Sequence, residues 1–273
     1  MTNNFYLTRS ANGVAFYKNK ILECKNLVHH AFSTRIGGVS ENAYSFLNLG
    51  INTDDEKAHV QKNFLLFSDA IGIDAKKMVL SNQVHDDKIR IVGSADCGKG
   101  VVLPSDIKGV DALITNEPGV ALCTFYADCT PLLLLDTKRK VIASVHSGWR
   151  GTLLKIAQKT VRKMMDTYGT DPRDLLCVIG PSIKQCHFEV GKEVYDEFLD
   201  IFGQSAADNT ICQNEKFYIN TDALNVETLR VLNIPAENIS VCPLCTFCKN
   251  DMFFSHRADA GTTGRMCAVI MLK

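Results

Sequence analysis

The chain has 273 residues, and its thirty basic side chains balance thirty acidic ones, so the formal net charge is zero. A balanced charge excludes the strong positive field that draws proteins to nucleic acid or to anionic membranes. A hydrophobic fraction of 46% and a charged fraction of 22% are those of an ordinary globular protein. We therefore expect a small-molecule substrate held by a few local groups, and neither a nucleic-acid nor a membrane partner.

The expected location is the cytoplasm. The first ten residues lack the basic and then apolar pattern of a signal peptide. No apolar stretch approaches the ~18 residues of a membrane-spanning helix. The eleven cysteines are odd in number, and several lie in apolar, strand-like stretches, which favours reduced thiols over disulfides. Nothing in the pattern indicates an oligomeric state.

The N-terminal part predicts short strands and turns in "GVAFY" and in "LVHHAFSTRIGGVS", whose Gly37-Gly38 pair marks a tight turn. Helical spacing follows over Lys57–Ile71, and a strand over Met78–Val84 runs into His85. The middle of the chain then predicts four crowded strands, at Ala112–Thr115, Val120–Tyr126, Leu132–Leu135 and Val141–Val145.

Helices and strands alternate in the remainder. The pattern predicts a helix from about Thr152 to Tyr168, a strand at Leu176–Ile179, helices at Lys192–Phe202 and Asp222–Leu232, and closing strands near Ile239–Val241 and Cys267–Leu272. Clustered strands among interspersed helices predict an α+β fold: a single domain, residues 1–273, of mixed β-sheets flanked by helices.

Three metal-capable side chains follow predicted strands, namely His85, Cys129 and His146. Two imidazoles and one thiolate suit zinc and leave a fourth position for water. A single histidine or cysteine is more often structural, so the prediction depends on the three together. Two alternatives stay open: copper, which also takes two histidines and a cysteine, and a metal-free Cys129 nucleophile with His85 or His146 as its base.

The segment "CPLCTFCKN" spaces Cys242, Cys245 and Cys248 at two-residue intervals, as some iron–sulfur proteins do. No fourth ligand is evident in the sequence. We interpret Cys245 as a buried cysteine with incidental neighbours.

Two arginines end apolar segments, Arg35 in "STRIGG" and Arg257 in "FFSHR". Either can hold an anion through bidentate hydrogen bonds. A structural pair with a nearby carboxylate is the equal alternative.

The segments "DALIT", "ADCTPLLLLD", "VHSGWRGT", "IGPSI" and "CHFEVG" together resemble the multicopper polyphenol oxidoreductase (laccase-domain) family. The resemblance extends from about Ser33 to Arg265, and the elements A-D-C-x-P and H-x-G-W-R-G in this order are specific. Bacterial members are also described as purine nucleoside phosphorylases and as peptidoglycan editing factors. This chain departs from the family pattern at Asp86, Ser147 and His256.

The resemblance implies a metal on His85, Cys129 and His146, zinc first and copper second. It implies phosphorolysis of adenosine, inosine and methylthioadenosine to free base and ribose-1-phosphate, together with deamination of adenosine. The expected catalytic residues are Cys129, His85 and Arg257, and the expected substrate-binding residues are Arg35, Asn48, Asp128 and Arg257. Editing of a peptidoglycan precursor and copper-dependent oxidation of polyphenols are the alternative activities.

Overall fold

Two six-stranded β-sheets pack face to face in the computed structural model, which describes residues 4–273. The strands in chain order are β1 (Phe5–Arg9), β2 (Ala15–Asn19), β3 (Val28–Ser33), β4 (Met78–Leu80), β5 (Ile89–Ile91), β6 (Ala112–Thr115), β7 (Ala121–Tyr126), β8 (Thr130–Asp136), β9 (Val141–Ser147), β10 (Leu175–Ile179), β11 (Glu189–Val190), β12 (Thr210–Gln213), β13 (Lys216–Ile219), β14 (Ile239–Val241) and β15 (Met266–Leu272). The helices are α1 (Lys20–Glu23), α2 (Lys57–Ile71), α3 (Trp149–Leu153), α4 (Ile156–Tyr168), α5 (Lys192–Phe202), α6 (Gln204–Asp208) and α7 (Thr221–Arg230).

Both large sheets are mixed. The first has the order β1-β2-β3-β15-β7-β4, and only its β4–β7 pair is parallel. The second has the order β14-β10-β8-β9-β6-β5, with parallel pairs at both edges. A small antiparallel sheet, β11-β13-β12, stands apart. The chain passes from the first sheet to the second between β7 and β8.

Four layers result, because each large sheet also carries helices on its outer face. The inner faces meet in one core, to which β7 contributes Leu122 and β8 contributes Leu133. The outer face of the first sheet packs on α2, and that of the second packs on α4 and α7. Strands covered on both faces need apolar residues at every position, and this explains the unbroken run Leu132–Leu135.

The α+β fold with mixed sheets is confirmed, and the single-domain organisation stays a prediction. Four predicted elements coincide with observed ones, at Lys57–Ile71, Ala112–Thr115, Lys192–Phe202 and Ile239–Val241. The helix predicted over Thr152–Tyr168 is instead two helices, because Lys155 adopts a left-handed backbone (φ 57°) between α3 and α4.

The strand predicted over Met78–Val84 ends at Leu80. Beyond it a side chain continues the pairing. The amide of Gln83 accepts the N–H of Phe125 through Oε1 and donates to the carbonyl of Phe125 through Nε2, both at 2.7 Å. The backbone N–H and carbonyl of Phe125 are thereby satisfied by a side chain instead of by a neighbouring strand. The chain after Leu80 is therefore free to turn toward the site.

All eleven cysteines are free thiols, as expected. Among residues 4–273 no helix is both long and apolar enough to cross a membrane.

Candidate metal centre

Cys129 lies in the three-residue turn that links the two large sheets. Its neighbour Asp128 has a left-handed backbone (φ 82°), which is uncommon for a residue with a side chain. The surroundings hold this conformation: the Asp128 carboxylate accepts the hydroxyl of Thr246 at 2.6 Å and the N–H of Arg257 at 2.7 Å. Thr246 and Arg257 therefore hold this turn in place. The Cys129 sulfur lies 3.8 Å from His85 Nε2.

Asp111, fully buried just before β6, positions both histidines. Its Oδ1 lies 2.8 Å from Nδ1 of His146, which sits in β9 opposite Pro131. Its carboxylate also accepts the N–H groups of Val84, His85 and Asp86 at 3.0, 3.0 and 3.1 Å. One carboxylate therefore fixes the ring of one histidine and the backbone of the other, whose φ is 63°.

The three side chains fit a metal ion. Their donor atoms lie within 4.8 Å of one another, and the two imidazole rings meet edge to face with centroids 4.9 Å apart. Because Nδ1 of His146 is taken by Asp111, its Nε2 is the nitrogen left for a ligand bond, an arrangement common to metal-binding histidines. Three protein donors leave a further position for water or substrate.

The charges at this centre also suit a cation. Burial opposes ionisation of Cys129, but the imidazoles of His146 and His85 outweigh it and lower the pKa of the thiol. Burial likewise opposes protonation of His146, but Cys129 and Asp111 raise its pKa. The cysteine is therefore poised as a thiolate, which is the form that binds metals and attacks electrophiles.

Gly148 explains why the sequence between His146 and the helix α3 needs a glycine. A Cβ atom at this position would lie 2.8 Å from Cδ2 of His85 and 3.2 Å from Sγ of Cys129. Any other residue would push on two of the three donors. The "GWRG" motif therefore begins with glycine because a side chain at Gly148 would collide with His85 and Cys129.

A cavity of about 500 Å³ opens over the three donors. Apolar and aromatic side chains form part of its wall, and three arginines face it. The lining includes Ile183, Phe188, Trp149, Arg150, Arg257, Arg265, Asp128 and His256. Such a mixture of apolar and aromatic side chains with three arginines suits a small aromatic ligand that carries, or is accompanied by, an anion.

Arg257 lines the cavity. Its guanidinium donates to the backbone carbonyls of His187 at 3.3 Å and Glu189 at 2.9 Å, and no carboxylate among residues 4–273 is bonded to it. Asp128 also lines the cavity, but both of its oxygens already accept hydrogen bonds. Their roles toward a substrate stay predictions.

Arg265 is a cavity residue that the sequence analysis missed. Its guanidinium donates to the carbonyls of Thr263 and Gly264 at 2.8 and 2.9 Å, and burial lowers its pKa against the opposing charges of Cys129 and Asp128. The signal was present in "TGR", where a charged residue immediately precedes the apolar strand β15.

Arg35 and Asn48 do not reach the cavity. The Arg35 guanidinium donates to the carbonyls of Ser45 and Asn250 and to the Asn250 side chain, and it lies 4.5 Å over the ring of Phe254. Asn48 is fully buried, and its Oδ1 accepts the N–H of Arg265 at 2.9 Å. Both side chains join separate loops through these bonds, and their role toward a substrate stays a prediction.

Of the departures from the family pattern, Asp86 lies outside the cavity and His256 lines it. Asp86 pairs with Lys88 at 3.6 Å and is not among the cavity residues or the metal-capable group. His256 does line the cavity and is exposed to it.

Comparison with known proteins identifies the family. Residues 29–273 match the family model described as "Multi-copper polyphenol oxidoreductase laccase". The chain is 34% identical over 245 residues to "Purine nucleoside phosphorylase YlmD" of Bacillus subtilis, covering 89% of this chain and 87% of the relative. It is 34% identical over 241 residues to "Purine nucleoside phosphorylase YfiH" of Escherichia coli, covering 88% and 92%.

Solved structures of two relatives have the same fold. The Bacillus licheniformis hypothetical protein YfiH superposes with a TM-score of 0.90 at 31% identity, over 98% of this chain and 99% of that one. YlmD from Geobacillus stearothermophilus superposes with a TM-score of 0.91 at 27% identity, over 98% of each chain. The chain belongs to this laccase-like polyphenol oxidoreductase family, as its motifs predicted.

Proposed function

We propose that the protein is a zinc-dependent purine nucleoside phosphorylase that also deaminates adenosine. The observation that carries the proposal is that one cavity joins a His–Cys–His donor set with aromatic side chains and three arginines. The printed names of the relatives support it, because they are purine nucleoside phosphorylases that align over nearly their whole length. The proposed substrates are adenosine, inosine and methylthioadenosine.

In phosphorolysis, a phosphate oxygen forms a bond to C1′ of the ribose while the bond from C1′ to the purine nitrogen breaks, and the departing purine takes up a proton. Arg257 and Arg265 are the side chains proposed to hold the phosphate, since neither guanidinium is paired with a carboxylate. Trp149 and Phe188 present aromatic surface on which a purine can stack.

His85, Cys129 and His146 would hold the metal. A zinc ion at such a site polarises the group it touches and lowers the pKa of water toward ~7, which suits hydrolytic removal of the adenine amino group as ammonia. Asp111 keeps the His146 ring oriented throughout, and Asp128 keeps the turn that carries the cysteine in place.

Product analysis tests the proposal directly. Protein of known zinc and copper content would be incubated with adenosine, with and without phosphate, beside Cys129→Ala and the control Cys212→Ala. Cys212 is an exposed thiol on the small sheet, outside the cavity. We expect phosphate-dependent adenine and ribose-1-phosphate and phosphate-independent inosine, both lost only with Cys129→Ala.

Other outcomes would overturn the proposal in identifiable ways. Inosine without any phosphate-dependent adenine would leave a deaminase alone. No turnover by folded, zinc-replete protein would bring editing of a peptidoglycan precursor forward. Activity on a polyphenol that requires copper would favour oxidation, although only two histidines of residues 4–273 stand in the cavity's metal-capable group, too few for several copper ions.

A further inference from the structure

A second set of metal-capable side chains lies outside the cavity's His–Cys–His group. Cys245 and Cys248 come from the "CTFC" segment, and Cys186 and His187 come from the loop after β10. Their donor atoms all lie within 4.8 Å of one another. Two metal-capable side chains that the sequence did not connect with this segment, Cys186 and His187, therefore reach it from about sixty residues away. Cys242 takes no part, because it is buried in the core between the sheets.

Three of the six separations between these donors are close to those that a tetrahedral ion imposes. With metal–sulfur bonds of about 2.3 Å and metal–nitrogen bonds of about 2.0 Å, two sulfurs stand about 3.8 Å apart and a sulfur and a nitrogen about 3.5 Å apart. The sulfurs of Cys186 and Cys248 are 3.8 Å apart, and Nδ1 of His187 lies 3.2 Å from the first and 3.3 Å from the second. A disulfide needs sulfurs near 2.05 Å, so these thiols are spaced for a shared ion and not for a covalent bond.

The surroundings hold the donors in place. The backbone N–H of Lys184 donates to the Cys245 sulfur at 3.4 Å and so fixes the position of that sulfur. The His187 ring stacks on Phe247 with centroids 4.0 Å apart. The two segments are joined by a hydrogen bond from the N–H of Thr246 to the carbonyl of Ser182 at 3.0 Å. Cys186 and Cys248 are exposed, so an ion has a path from solvent.

The geometry points to a second, structural zinc site formed by Cys186, His187, Cys245 and Cys248. Four protein donors close the coordination sphere, which distinguishes a structural ion from the three-donor centre in the cavity. Three thiolates and one imidazole are a donor set typical of zinc, whereas iron–sulfur clusters are generally held by four cysteines.

The site would brace one wall of the cavity. Phe188, the residue after His187, lines that wall, and the His187 carbonyl accepts a hydrogen bond from Arg257. Thr246, the residue after Cys245, holds Asp128. An ion here therefore ties together the two loops that position a wall residue, a cavity arginine and the turn that carries Cys129.

Zinc stoichiometry tests this inference independently of any activity. Metal-free protein would be titrated with zinc, and bound ions counted, for the wild type, Cys248→Ser, Cys186→Ser, Cys129→Ser and the exposed-thiol control Cys212→Ser. We expect two ions per chain in the wild type and the control, and one in each of the other three. One ion in the wild type, lost with Cys129→Ser and retained with Cys248→Ser, would overturn the second site.

Cobalt substitution of the wild type answers the same question without relying on a variant to fold. Each thiolate bound to cobalt adds intensity to the sulfur-to-cobalt charge-transfer band, and the two sites of the wild type together offer four. We expect the wild type to show a band clearly stronger than a single thiolate can give. A spectrum accounted for by a single thiolate, or stoichiometric iron with inorganic sulfide in protein purified without oxygen, would contradict a zinc site.

Discussion

Asp111 is the single residue on which both histidines of the cavity depend, since its carboxylate accepts four hydrogen bonds from them and their neighbours. Asp111→Asn would replace one oxygen by a donor that faces N–H groups. Outer partners of metal ligands typically contribute 10–100-fold to metal affinity, so we expect zinc affinity at the cavity to fall by about that factor. Competition with a chelator of known affinity measures it.

A matched control separates positioning from stability. Asp136 is another fully buried aspartate, and its Oδ1 accepts the N–H groups of Lys138 and Arg139 in the turn after β8. Asp136→Asn should lower the free energy of unfolding without changing zinc affinity. Equal losses of affinity in the two variants would show that Asp111 acts only through stability.

Gly148 gives a second prediction at this scale. Gly148→Ala would place a methyl group against His85 and Cys129, so at least one donor must shift. We expect a loss of zinc affinity of tenfold or more, measured by the same competition. Gly151→Ala is the control, because its added atom meets Ile156 at 3.3 Å and no metal donor. Unchanged affinity in Gly148→Ala would mean that the cavity relaxes more easily than its packing indicates.

At the scale of elements, the junction of β2, α1 and β3 contains a buried titratable group. Burial lowers the pKa of His30 to about 4, and its Nε2 accepts the N–H of Asn19 at 2.8 Å. Histidine in an unfolded chain has a pKa of ~6.5, so the unfolded chain gains a proton that the folded chain refuses as the pH falls from 6.5 toward 4. The contribution of the neutral, buried His30 to the free energy of unfolding is therefore fully present above pH ~6.5 and is lost as the pH falls toward 4.

The expected loss is up to about 3 kcal/mol across this window. Denaturation by urea at several pH values would measure it in the wild type and in His30→Gln, whose amide can still accept the Asn19 hydrogen bond. The variant should show a shallower dependence of unfolding free energy on pH than the control His59→Gln on α2. Parallel curves for the two variants would rule out His30 as the source.

How well the elements were predicted depended on how much of their energy is local. The helix α2 and the strand β14 matched because apolar spacing and flanking turns define them. The small sheet β11–β13 escaped because its strands are short and largely exposed, so their sequence carries no alternation. The break at Lys155 escaped because no glycine or proline announces it.

The site was predicted to the extent that chemistry is visible in residue types. His85, Cys129 and His146 stood out because unusual side chains follow apolar strands. Asp111 and Arg265 did not, because their importance comes from contacts between distant segments. The motifs that contain Arg35 and Asn48 did not reveal the hydrogen bonds that these side chains make to Asn250 and to the backbone of Arg265.

For the whole molecule, buried polar contacts cross the largely apolar space between the sheets, and one of them joins β7 to β9. The hydroxyls of Thr124 on β7 and Ser144 on β9 are fully buried and 2.8 Å apart. Thr124→Val or Ser144→Ala alone would strand the remaining hydroxyl, at a cost of about 1–3 kcal/mol. The double variant should cost less than the sum, and urea denaturation of the four proteins measures the coupling. Strict additivity would mean that each hydroxyl has another partner.

Metal and folding should also be linked at this scale. If zinc binds only the folded chain, a free concentration 100-fold above its dissociation constant stabilises the fold by about 2.7 kcal/mol. We expect the thermal midpoint to fall on chelation and recover with zinc, with a smaller change in Cys129→Ser. A midpoint indifferent to zinc would separate binding from stability.

The position of Cys129 gives this linkage a mechanical meaning. His85 follows a strand of the first sheet, His146 belongs to the second, and Cys129 lies in the turn between them. An ion bound to all three would link the two large sheets directly. A cell short of the metal would then lose the protein itself as well as its activity, because chains without the ion unfold more often and are exposed to proteolysis.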